Sequence, residues 1–163
     1  MRKPGSFSVE RGAFVLSAAV LAWRLVAMVN AGDGKMTPVV NAEATSTKPD
    51  SEGRQTVTIQ LDIKEGHRIL ANPVQCDDLV PVQTTVIVAS ADKLQEVKIK
   101  YPPGKRMTLL GDMVFYVYEG KIEIKAFVKR MAGDTAPLDI TVTCFPRNDL
   151  KTFLPETRKL QIK

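Results

Sequence analysis

The chain has 163 residues, enough for one domain behind a short leader, with 25% charged and 6% aromatic residues, proportions ordinary for a globular protein. The formal charge of +5 does not describe the body: residues 1–31 hold Arg2, Lys3, Arg11 and Arg24 against Glu10, and the remainder carries 19 basic and 17 acidic residues. A body so near neutrality lacks the field that nucleic acid demands, which excludes that class of partner and leaves membrane contact to the leader alone.

The leader spans residues 1–31. Arg2, Lys3 and Arg11 precede an apolar run, Ala13–Trp23, broken only by Ser17, and Val29-Asn30-Ala31 follows with a small residue at its end. Basic region, apolar region and small-residue site, in that order, make a secretory signal peptide, predicted as a helix that is cleaved after Ala31. An uncleaved anchor is the alternative. Arg24 opposes it, because an arginine inside an already short span is expensive in a bilayer. No cysteine follows the apolar run, so a lipid anchor on cysteine is excluded.

Residues 32–163 read as one domain of short strands. Thr37–Thr45 alternates loosely, and Ser46–Arg54 carries the turn chemistry of Pro49-Asp50 and Gly53. Gln55–Ile63 is the clearest strand: Val57, Ile59, Leu61 and Ile63 alternate with Thr58, Gln60 and Asp62, so one face enters a core and the other meets water. His67–Pro73 is a short extended piece. Gln83–Ser90 is rich in β-branched residues, and Glu96–Tyr101 alternates until Pro102-Pro103-Gly104 stops it. Val114–Tyr118 and Lys121–Lys129 flank Glu119-Gly120, the pattern of a hairpin or of one strand bulged at Gly120. Leu138–Phe145 and Arg158–Lys163 complete the series. Nothing after Ala31 keeps a helical period, so the fold class is all-β, an immunoglobulin-like antiparallel β-sandwich.

Chemistry-bearing residues are sparse. His67 is the single histidine. With Met36, Met107, Met113 and Met131 it could be imagined as a soft copper site, but methionines in a sandwich more often fill the core. No zinc-type ligand cluster, phosphate loop or hydrolase motif is present, so neither a metal nor any other cofactor is predicted. Cys76 and Cys144 stand 68 positions apart. In an oxidising compartment they could close a structural disulfide, or Cys144 could be a small buried residue on its strand. Asp77 and Asp78 beside Cys76 oppose a reactive thiolate there.

Five stretches taken together resemble the N-terminal domain of the thiol:disulfide interchange protein DsbD: Gly66–Pro73 (GHRILANP), Asp78–Val88 (DLVPVQTTVIV), Lys98–Lys105 (KIKYPPGK), Val117–Val128 (VYEGKIEIKAFV) and Leu138–Ile162 (LDITVTCFPRNDLKTFLPETRKLQI). The resemblance implies an immunoglobulin-like fold, a periplasmic location and thiol–disulfide exchange through two cysteines in the last stretch. They would flank an Asn-Asp-like segment, matched by Asn148-Asp149, and precede Leu154-Pro155. The two cysteine places fall on Arg147 and Phe153, neither of which can form the thiolate that exchange requires. The expected function is therefore an exported, non-catalytic interaction or scaffold domain with a degenerate active site. Its contact loop would hold Arg147, Asn148, Asp149 and Phe153, and its partner would be a thioredoxin-like or other envelope protein. Exchange through Cys144, with or without Cys76, is the first alternative, and an envelope metal- or sugar-binding domain is the second.

Overall fold

The computed structural model describes residues 37–108 and 113–163. The leader and Met36 lie outside the described residues, and so does the helix predicted there.

Among the described residues, ten strands form three antiparallel sheets. The first, in the order β1-β2-β8-β5, joins β1 (Val40–Ser46), β2 (Arg54–Ile63), β8 (Lys121–Lys129) and β5 (Glu96–Lys100). The second runs β10-β9-β4, with β4 (Thr85–Ser90), β9 (Leu138–Cys144) and β10 (Glu156–Ile162). A small third sheet, β3-β7-β6, is made of β3 (Ile69–Leu70), β6 (Lys105–Thr108) and β7 (Val114–Tyr118). The architecture is the expected all-β, immunoglobulin-like sandwich.

The alternation of β2 works as a strand should. Val57, Ile59, Leu61 and Ile63 are buried, and the first three meet Ala126, Ile124 and Ile122 of β8 in register. Ile140, Val142, Leu138 and Val88 approach from the second sheet to complete the larger core. Each such side chain removed from water contributes roughly 1.5–3 kcal/mol. Gln55 breaks the apolar series but is buried with both polar atoms bonded: its Nε2 donates to Thr47 O and its Oε1 accepts from Arg130 Nε, each at 2.9 Å. A second, smaller core of Leu70, Val74, Phe115 and Val117 sits on the third sheet, flanked by Cys76, Leu79, Val82 and Met107.

Three local readings change. The segment Asp77–Val82 forms a 3₁₀ helix, and Lys105–Thr108 is a strand directly after the glycine that was expected to end one. Gly104 allows that strand to approach: a Cβ there would lie 2.7 Å from Ala71 Cβ and 2.8 Å from Tyr116 Cβ. The third change concerns β7 and β8, which do not form a hairpin. β7 pairs with β3 and β6, and β8 pairs with β2 and β5. The chain turns from one sheet into another at Gly120, whose φ of 65° suits glycine.

The ends of the two large sheets are fastened together. Glu156 of β10 accepts from the N–H groups of Val39 (2.9 Å) and Val40 (3.2 Å), and Arg158 Nε donates to Val40 O at 2.8 Å. Glu156 and Arg158 also pair with each other.

Candidate functional site: the loop between β9 and β10

The loop is built as a miniature hairpin. Phe153 N–H donates to Pro146 O at 2.8 Å and Asn148 N–H to Lys151 O at 3.0 Å. Asn148 shapes the tip, because its Oδ1 accepts from the N–H groups of Leu150 and Lys151, both at 3.0 Å. This is the short polar side chain acting on the backbone a few residues ahead, which is why asparagine suits such turns. Arg147 holds the base: it bridges Thr152 on one side and Arg68 on the other, exchanging two 2.9 Å backbone bonds with Arg68. The loop is thereby attached to the segment that leads into β3.

Side chains then fix a mixed cationic and apolar surface. The Arg147 guanidinium lies 5.5 Å from the ring centroid of the buried Phe115, within cation–π range. Phe153, half-buried, packs its ring 5.3 Å from that of His67 at a 47° tilt. Lys151 Nζ sits 4.7 Å from the Phe153 ring. Asp149 at the tip pairs with the Arg68 guanidinium. His67 Nδ1 is 3.0 Å from Glu65 O. Two leucines project outward: Leu150 is 93% exposed and Leu154 78%.

The cysteines stand elsewhere. Cys144 ends β9 inside the larger core, where its Sγ lies 3.7 Å from Glu156 O. Burial pushes its thiol up to about 12, the Glu156 charge adds to the rise, and Arg158 opposes it. Cys76 precedes the 3₁₀ helix and packs, half-buried, on the smaller core. Both thiols are free, so the bridge considered between them is not formed in the structure.

The remaining ligand-type residues are scattered. Met107 packs on the smaller core, Met113 and Met131 are exposed on separate segments, and Met131 Sδ accepts from Gln95 Nε2 at 2.9 Å. Among the described residues no group of three or more His, Cys, Asp or Glu is placed to hold a metal ion.

No family model and no curated protein matches the chain. Solved structures do. The N-terminal periplasmic domain of ScsB from Proteus mirabilis superposes with a TM-score of 0.56 at 12% identity, over 76% of this chain and 47% of that one. A structure of the complex between the DsbD N-terminal and PilB N-terminal domains from Neisseria meningitidis matches with a TM-score of 0.50 at 14% identity, over 79% of this chain and 88% of that one. The chain shares the fold of DsbD N-terminal domains. It spans about half the length of the ScsB chain.

On this DsbD-type fold, Arg147, Asn148, Asp149 and Phe153 do fall in one loop, as their order in the chain required. Sequence reasoning missed their neighbours. Arg68 belongs to a stretch read as a short extended piece, and Phe115 to one read as half of a hairpin or bulged strand. His67 was weighed for metal and not as a ring beneath Phe153. Leu154 was noted only within the Leu154-Pro155 match and Leu150 not at all, although a leucine between Asp149 and Lys151 was the signal the sequence offered.

Proposed function

We propose that this chain is an exported, non-catalytic interaction module that docks an envelope protein, of thioredoxin-like or other fold, through the Pro146–Pro155 loop. One observation carries the reading. The two places assigned to redox cysteines by resemblance hold a guanidinium committed to the Phe115 ring and a phenyl ring committed to His67. The exchange reaction needs an accessible thiolate. Cys144 is buried with its thiol pushed up to about 12, and Cys76 packs on a different core. What the loop does offer is a preorganised tip with Leu150 and Leu154 in water, flanked by Arg68, Arg147 and Lys151. Exposed apolar anchors with a charged rim are the composition of a protein-docking surface. Export rests on the leader at residues 1–31.

Two measurements test this. In a glutathione-linked exchange assay the protein gives no turnover above a Cys76→Ser/Cys144→Ser control; turnover lost on Cys144→Ala would replace the module with an enzyme. Against a thioredoxin-like envelope domain and a pull-down of envelope proteins, Leu150→Asp weakens capture by about tenfold or more, the effect of losing a central anchor. Capture unchanged by Leu150→Asp and by Phe153→Ala would remove the loop from the interface.

A further inference from the structure

A second surface, at a separate place in the fold, is the outer edge of β5. This strand ends the first sheet, and on its far side no strand pairs with it among the described residues. Its outward backbone groups make no hydrogen bond among the described residues. Other edges are closed in part: Tyr101 Oη accepts from Val86 N on β4 at 3.0 Å, and Glu156 and Arg158 occupy the start of β1.

The side chains of β5 define what that edge would accept. Val97 and Ile99 lie opposite Val128 and Ala126 on the core side, yet Val97 remains 39% exposed and Ile99 only half-buried, because the neighbouring strand position is empty. On the other face Glu96 at the start of the strand lies opposite Lys129, Lys98 lies opposite Phe127, which is 42% exposed, and Lys100 lies directly opposite Lys125, which itself pairs with Glu123. Neither Lys98 nor Lys100 has a carboxylate partner among the described residues. Like charges opposite one another across strands are destabilising. Lysines on an edge are also a common guard against indiscriminate pairing. The two facts combine into selectivity, since the guard repels apolar and basic strands and admits an acidic one.

We propose that the free edge of β5 docks an extended acidic segment of a protein partner, which adds to the first sheet as a fifth strand. Its alternate residues place carboxylates beside Lys98 and Lys100 and apolar side chains beside Val97 and Ile99. Backbone bonds supply the affinity, and the alternation supplies the specificity. A second copy of this chain is the rival occupant, since antiparallel pairing of β5 about Lys98 sets Lys98 against Lys98 but Glu96 beside Lys100; it would show as a dimer of the free chain through residues 96–100, and that result overturns the proposal. An anionic bilayer attracts Lys98 and Lys100 but leaves the backbone edge unpaired.

The test uses the full chain and a seven-residue blocked peptide of alternating Glu and Val, followed by fluorescence anisotropy and by hydrogen exchange. Binding is saturable and protects amides within residues 96–100. Lys98→Glu/Lys100→Glu weakens it roughly tenfold, the combined effect of two reversed cross-strand charges. A fully N-methylated peptide, which cannot pair, and a Lys–Val peptide do not bind. Lys98→Gln/Lys100→Gln, which removes charge without reversing it, gives a smaller loss and guards against misfolding of the double glutamate variant. Absence of saturable binding overturns the proposal. So does equal binding by the methylated peptide, an unchanged affinity in both lysine variants, or protection located at Pro146–Pro155. Capture by anionic vesicles that is lost in the lysine variants, with no binding of the Glu–Val peptide, overturns it in favour of a membrane surface.

Discussion

Cys144 has a thiol whose folded environment opposes ionisation, and this links it to stability at alkaline pH. Its ordinary value of 9.0 is pushed up to about 12 by burial and by Glu156. Below about pH 9 the thiol is protonated in both folded and unfolded chains, and its contribution is complete. Between about pH 9 and about pH 12 the unfolded chain ionises while the folded one does not, so stability falls through that window. Tyr101 and Tyr118, also raised by burial, steepen the fall. Urea midpoints measured at about pH 8 and about pH 10.5 should therefore drop in the native protein and drop less in Cys144→Ala. The same burial predicts a labelling order. A maleimide reacts with half-buried Cys76 in the folded protein and with Cys144 only on unfolding, as peptide mapping would read.

At the scale of the element, the β9–β10 loop depends on one side chain for its tip. Asn148→Ala removes the acceptor for two backbone N–H groups and is expected to cost about 1 kcal/mol locally. Amide exchange at Leu150 and Lys151 should quicken while exchange in the β9 ladder stays unchanged. Much at this scale was legible in advance. β2 announced itself by strict alternation, and β9 by β-branched residues ahead of a proline. The loop's content followed from motif order, because chain order forces Arg147 and Phe153 together. What escaped notice was set by partners distant in sequence. Lys105–Thr108 carries almost no alternation and is a strand because Gly104 lets it approach β7. The Glu119-Gly120 turn has the local chemistry of a hairpin, but which sheet each flanking strand joins is decided by β2, β3, β5 and β6. Arg68 and His67 entered the site only because a backbone bridge carries the loop onto them.

For the molecule as a whole, the joint between the two large sheets includes a buried charge. Arg130 follows β8, and its side chain and that of Asp134 are 2% and 3% exposed. The guanidinium donates to Gln55 Oε1 and to Ala136 O, and its Nη1 lies 3.6 Å from Asp134 Oδ1. The connection from the first sheet to the second is thus organised around one cation, and Gly53 packs against the backbone of the same residue so closely that a Cβ would lie 2.5 Å from Arg130 O. Arg130→Met strands Asp134 and Gln55 and should lower unfolding stability by about 3–5 kcal/mol, read by denaturant titration.

The passage through Gly120 ties matters further. β7 is the middle strand of the small sheet and β8 an interior strand of the large one, and a single stretch of chain runs through both. Phe115, on β7, is therefore held by the same run of chain that threads the large sheet, so drawing β7 outward pulls on the spine beside it.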